Sequence, residues 1–269
     1  MKNKSSTNIG IVLCKIFEDE LIHIIQKGPL PKNILIIDNG EADNFTEKLD
    51  SQGLPYSKFK QKEIEPYLNQ EETNGIVLII HILELALHAH PNKLKESVYE
   101  SINEMSSYCN GIFLLYGLCG NVLADVESEY NSSETAVKIL RDDEGIIVDD
   151  CIAAVLGGRK EYLKTLKSCR GSGTFFLTPM WAANWRDMAK SAGMCADPYD
   201  DEMSKFVFEQ VGYNTVGKID TGLNYERDFH QKVEEFAKIF NFKIVDMNGS
   251  PKLIEKCYQE FLNNVVESD

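Results

Sequence analysis

Cys14, Cys119 and Cys151 each stand where a short apolar run gives out: "NIGIVLC", "GIFLLYGLCGN" and "EGIIVDDC". A thiol has two chemistries of use to a protein, nucleophilic attack and soft-metal ligation, and both need the thiolate. The glycines around Cys119, Gly117 and Gly120, are those of an exposed turn with free backbone N–H groups, an arrangement expected to lower the Cys119 pKa. Asp149 and Asp150 work the other way on Cys151, because two neighbouring carboxylates disfavour a thiolate unless a cation compensates. A metal ion is such a cation. Three thiols at three strand ends therefore read as one candidate metal site assembled from distant segments, against the plainer reading of each cysteine as a small buried hydrophobe.

Further candidates lie nearby in kind. "LHAHP" carries His88 and His90, which share one side of an extended segment and so offer His88 as a fourth ligand. "LTPMWAANW" sets Trp181 and Trp185 one helical turn apart, either as helix core or as an aromatic lid over a cavity. Cys109, Cys169 and Cys257 fall in or at the ends of expected helices, and Cys195 in a polar loop. "DTG" at 220–222 occurs once, between strand and helix signals, which excludes an aspartic protease. "GGR" at 157–159 is too short for a phosphate loop. Seven cysteines with no C-x-x-C spacing exclude a zinc ribbon and a disulfide framework.

These side chains need elements to hold them. Strand-like runs at 8–14, 33–40 (strand then turn), 111–117, 144–150, 173–179, 215–222 and 242–250 alternate with helical periodicity at 15–28, 91–108, 151–169 (interrupted at Gly157 and Gly158), 224–241 and 251–265; 74–80 fits strand or buried helix. Continuous apolar strands between helices predict an α/β fold, a mainly parallel sheet with helices on both faces. The polar stretch at 124–136 suggests two α/β lobes, 8–125 and 140–265, or one continuous domain. In such sheets ligands bind outside the carboxyl ends of the strands, which is where the three cysteines fall.

The net charge of −14 and pI of about 4.9 repel phosphate backbones and anionic lipid, so neither nucleic acid nor membrane is expected as a partner. The polar N-terminus "MKNKSSTNIG" lacks the apolar core of a signal peptide, and the run from 75 to 90 is too short and polar to span a bilayer. A cytoplasmic location is expected.

"YGLCGN" (116–121), "DDCIAAVLGGRKEY" (149–162), "GTFFLTPMW" (173–181), "LHAHP" (87–91) and "DTG…GSPKLIEK" (220–256) together resemble the archaeal and bacterial family known as domain of unknown function 1638. The likeness runs from about residue 8 to 265. The resemblance implies a cytosolic α/β protein whose gene lies near corrinoid-dependent methyltransferases in methanogens and other anaerobes. The family's cysteines fall on Cys14, Cys119 and Cys151, its histidine on His88, and the arginine of its glycine-rich helix on Arg159. Val122 stands where a third glycine is usual, and Gly158 where serine is usual.

Two functions follow as expectations. In one, Cys14, Cys119 and Cys151 hold zinc, with His88 or a small thiol substrate in the fourth position, and the chain acts in corrinoid-linked methyl transfer. In the other, the same thiols hold an iron–sulfur cluster, or the chain handles a corrinoid through a partner, as an accessory subunit of a methyltransferase system. Gly117, Gly120, Asn121, Trp181 and Arg159 are the candidate cofactor contacts. A third possibility is a scaffold whose cysteines are buried and inert.

Overall fold

The computed structural model describes residues 6–70, 74–131, 133, 135–191, 193, 197 and 199–268. Six strands form the first sheet: β1 (Thr7–Cys14), β2 (Asn33–Ile37), β3 (Ser57–Phe59), β4 (Ile76–Leu83), β5 (Gly111–Leu115) and β6 (Ala136–Ile139). Their order is β3-β2-β4-β1-β5-β6 and every pairing is parallel. Between them lie α1 (Glu18–Lys27), α2 (Asp43–Ser51), α3 (Gln61–Gln70), α4 (Pro91–Met105) and the single turn α5 (Val126–Glu129).

The near-continuous apolar strands have the physical reason expected of them: both faces are covered. On β1, Ile9, Ile11 and Leu13 enter one core while Val12 enters the other, the two-residue alternation of a strand. The first core is closed by α1 and α2, with α6 (Cys151–Leu156) and α11 (Lys252–Ser268) returning from the second half of the chain. The second core is closed by α3 and α4. Because α1 leaves β1 on one face and α4 leaves the neighbouring β4 on the other, a crevice opens at the carboxyl ends of those two strands. This is the ligand-binding position of open parallel sheets.

The second sheet is smaller, with β7 (Gly173–Leu177), β8 (Tyr213–Asp220) and β9 (Lys243–Asn248) in parallel order β7-β8-β9. Around it lie α7 (Arg159–Ser168), α8 (Pro179–Ser191), α9 (Asp201–Gln210) and α10 (Phe229–Phe240). Its core is aromatic: Phe175, Phe208, Phe236 and Phe240 meet with ring centroids 4.7–5.9 Å apart.

Two expectations change. Residues 144–150 are not a strand of either sheet. Asp142 accepts bonds from the Glu144 and Ile146 amides, turning the chain back so that Val148 N–H donates to Leu140 O, with one isolated antiparallel bridge at Arg141–Ile147. Conversely, the polar stretch at 124–136 leads into β6, an edge strand whose Ala136 and Lys138 face solvent while Val137 and Ile139 are buried. No helix among the described residues is long and apolar enough to cross a membrane.

The two sheets are joined around a buried lysine. Lys48 on α2 meets Asp19 (2.7 Å) and Glu18 (3.3 Å) on α1, Glu226 before α10 (2.7 Å), and the Met180 sulfur on α8 (2.8 Å). Glu18, Asp19 and Glu20 are all buried, so carboxylates outnumber the single cation. Burial pushes the Glu18 carboxyl up to about 7 and, with the neighbouring Asp19 charge adding to it, Glu20 up to about 8. These two carboxyls thus hold protons in the folded state that the unfolded chain releases near pH 4.5, and their contribution to stability falls as pH rises from about 4.5 to about 8. Between about 4 and 6.5 they are opposed by His81, whose pKa burial pushes down to about 4. Thermal unfolding at pH 5.5 and pH 8, below the range where thiols titrate, is expected to give the lower midpoint at pH 8. Glu20→Gln is expected to raise the pH 8 midpoint and flatten the difference; an unchanged difference would show that Glu20 is ionised throughout.

Candidate functional site

At the β1–β4 crevice lies a cavity of about 230 Å³ whose lining includes Cys14, Cys119 and Cys151. Each thiol arrives by a different local device. Cys14 is the last residue of β1, level with Leu83 at the end of β4. Cys151 is the first residue of α6. Asp150 caps that helix by accepting the Ala153 amide (2.8 Å) and also receives the Tyr162 hydroxyl (3.4 Å). Cys119 sits in a turn after β5 whose backbone is left-handed at three successive residues: Cys119 (φ 46°), Gly120 (φ 77°) and Asn121 (φ 67°). Only Gly120 takes that conformation without strain, so Cys119 is held there by its surroundings.

What holds it is a seam of backbone bonds. Leu118 N–H donates to Val148 O (2.8 Å) and Cys119 N–H to Asp149 O (3.1 Å). The seam is close because Gly117 has no side chain: a Cβ there would stand 2.5 Å from Val148 O and 2.9 Å from Asp150 N. The turn's amides are thus not the free donors expected from its glycines, since that of Cys119 is used by the seam.

The rest of the lining is mostly apolar and aromatic, with Ile16, Phe17, Leu87, Tyr116, Trp181 and Met188 prominent; Glu84, Asp149 and Asp150 supply carboxylates. Among the described residues that line it there is no lysine, arginine or histidine. The Trp181 indole N–H donates to the Cys151 sulfur at 3.2 Å. Burial pushes the Cys14 thiol up to about 12, with charge on Cys119 and Glu18 adding to the shift. Burial and the Asp150 carboxylate push Cys119 up to about 11, against a backbone bond at Gly117 that lowers it. Cys151 is raised furthest, by burial, Asp150 and Cys14. The expected lowering of the Cys119 pKa is therefore reversed: all three are neutral thiols at pH 7.

The other expected residues divide. Gly120 lines the cavity; Gly117 acts behind it through the seam; Asn121 is exposed in the turn. Trp181 is a wall of the cavity as well as part of the aromatic core. Arg159 lies outside the lining and meets Asp149 at 3.9 Å. His88 belongs by its backbone to the 3-10 turn Leu85–Ala89, and its side chain lies outside the described residues. Cys109 is buried in the second core, Cys169 ends α7, Cys257 donates to Arg141 O, and Cys195 lies outside the described residues. Tyr116, Phe17 and Met188 were not singled out by sequence, because each also satisfies an ordinary core pattern.

Among the described residues, no three His, Cys, Asp or Glu side chains stand in metal-holding geometry. Cys14, Cys119 and Cys151 share a cavity, then, but must draw together to ligate one ion. Their chemistry fits a thiophilic ion: soft donors, no competing cation in the described lining, and adjacent carboxylates.

The seam yields a direct test. Gly117→Ala forces the Val148 and Asp150 backbones away and is expected to cost about 1–3 kcal/mol, measured by urea unfolding. Cys119→Gly relieves a left-handed cysteine and is expected to be neutral or stabilising. Equal losses from both would mean that the thiol's packing, not the backbone approach, shapes this turn.

No curated protein and no solved structure matches the chain. A family model described as "Protein of unknown function (DUF1638)" matches residues 82–258, which include Cys119, Cys151, Arg159 and Trp181 but not Cys14. With about two-thirds of its length inside that match, the chain belongs to the DUF1638 family.

Proposed function

We propose that this protein binds a thiophilic metal ion through Cys14, Cys119 and Cys151 and serves corrinoid-linked methyl transfer, as a metal-dependent methyltransferase or its accessory subunit. The observation that carries the reading is that three thiols from three separated segments line one small cavity at the crevice of the parallel sheet. Three buried hydrophobes of the ordinary kind would be scattered through the cores, as Cys109 is. A cavity of about 230 Å³ is below the roughly 300–1,000 Å³ of pockets for drug-sized ligands. It suits an ion and a small thiol, while a corrinoid would have to be presented by a partner.

The chain's own groups have definite tasks. The apolar walls exclude water and keep the thiols protonated until an ion displaces the protons. The Trp181 N–H fixes the orientation of the Cys151 sulfur. Asp149 and Asp150 favour the arrival of a cation. An ion bound there would offer its remaining position to a thiol substrate and lower that thiol's pKa.

Because neutral thiols must each lose a proton, metal affinity is linked to pH. Titration with Cd²⁺, followed through its thiolate charge-transfer absorption, is expected to show affinity rising with pH at a slope approaching about three log units per pH unit. Cys14→Ser, Cys119→Ser and Cys151→Ser should each lower that slope by about one and weaken binding. The same changes at Cys109, Cys169 and Cys257 should leave it intact. Protein purified without air and analysed for metals separates zinc from iron, and a brown colour would assign the thiols to an iron–sulfur cluster. A pH-independent affinity unaffected by the three serine variants would end the proposal.

A further inference from the structure

Helix α7 contradicts the charge of the protein that carries it. The chain has a net charge of −14, yet residues 159–170 hold Arg159, Lys160, Lys164, Lys167 and Arg170 against one acid, Glu161. The helix has no buried residue. Its inner side is half-buried at Tyr162, Thr165 and Cys169. Lys160, Lys164 and Lys167, spaced i, i+4, i+7, form one row on the opposite side. Leu163 and Leu166 are exposed beside that row, at 46% and 41%. Among the described residues, ion-pair partners within 4 Å are found for Lys164 (Glu161) and Arg159 (Asp149) of these five cations.

We propose that the outer face of α7 is a docking surface for an acidic protein, one that presents carboxylates around an apolar patch. Charge complementarity chooses the sign of the partner. The leucines among the cations choose its class: an apolar centre with a charged rim is the anatomy of a protein interface, whereas a phosphate backbone offers leucine no apolar surface. Extended polyanions would also meet the acidic remainder of the surface, which a compact protein touching α7 alone avoids. A symmetric contact between two copies is disfavoured because it would set the α7 lysine rows against each other. The partner would lie beside the thiol cavity, since α7 begins at Arg159, whose guanidinium meets the Asp149 of the cavity lining. The docking surface stands whether or not those thiols bind metal.

The test uses the full chain in extract of the cells that make it, with a zero-length carbodiimide cross-linker and mass spectrometry of the joined peptides. The expected result is that α7 lysines are joined to aspartates or glutamates of one other protein. That protein, purified, should bind the wild type with an affinity that falls as salt rises. Binding should be roughly tenfold or more weaker for the triple change Lys160→Glu, Lys164→Glu, Lys167→Glu. Leu163→Ser with Leu166→Ser should weaken it while leaving the salt dependence in place. A partner that binds the triple variant as well as wild type overturns the proposal. So does the absence of α7 cross-links, or α7 cross-links only to other copies of this chain. Binding of RNA or phosphatidylserine vesicles that the same triple change abolishes would overturn it in favour of a polyanion surface.

Discussion

Everything at the candidate site depends on how closely the turn after β5 can lie against residues 148–150. Two backbone bonds make the seam, and one missing Cβ, at Gly117, permits it. The seam fixes the direction in which Cys119 leaves the sheet, and it brings Asp150 to the point where α6 starts. Asp150 then caps α6 and so sets the position of Cys151. Cys14 needs no such device, because the parallel register of β1 with β4 and β5 delivers it to the same edge. A site built from three segments thus rests on one backbone contact and one strand register.

The second sheet completes the enclosure. It supplies Trp181 and Met188, both on α8, as walls of the cavity. Helix α8 packs on the first sheet through an apolar cluster, Met180 and Met188 against Ile16 and Leu85, and beside it stands a polar junction, the Lys48 ammonium among Glu18, Asp19, Glu226 and the Met180 sulfur. Met180 and Trp181 are sequence neighbours, so the residue that meets Lys48 stands next to the one that bonds Cys151. Buried ion pairs are weak evidence for stability, because desolvation offsets most of the attraction. Their value here lies in direction: an ammonium with three carboxylates around it admits few alternative packings, whereas two apolar surfaces could slide.

Much of the fold was legible in the sequence for a plain reason. Strands buried on both faces are continuous apolar runs, as β1, β2 and β5 are, while the largely exposed β9 was readable only through Ile244, Val245 and Met247. What escaped reading was one-sided or uncovered structure. β6 alternates buried with exposed residues inside a polar stretch, and residues 144–150 look apolar yet make only an isolated bridge. For the site, Cys14 and Cys119 could be placed at the sheet's carboxyl edge from β1 and β5, whereas the strand expected at 144–150 before Cys151 does not form, and Cys151 reaches the cavity instead as the first residue of α6. The ionisation of the three thiols could not be anticipated. "GLCGN" reads as an open turn rich in amide donors, but one donor is spent in the seam and the thiols face an apolar, carboxylate-edged cavity. Burial, which no local motif reveals, decides the sign of the shift.

The same electrostatics tie the acid-rich surface to the site. A neutral thiol cluster beside Asp149, Asp150 and Glu84 has no cation of its own in the described lining to stabilise negative charge. Any process that ionises the thiols must import positive charge, whether a metal ion or the charged end of a ligand. Anionic reagents are repelled by the rim, and the apolar walls together with the neighbouring carboxylates disfavour ionisation of the thiols. Arg159 modulates this from outside: it meets Asp149 at 3.9 Å, half exposed, where it tempers one rim carboxylate without entering the cavity. The arrangement is selective by sign before it is selective by shape: its carboxylates and the absence of a cation among the described lining residues favour a neutral or positively charged group over an anion.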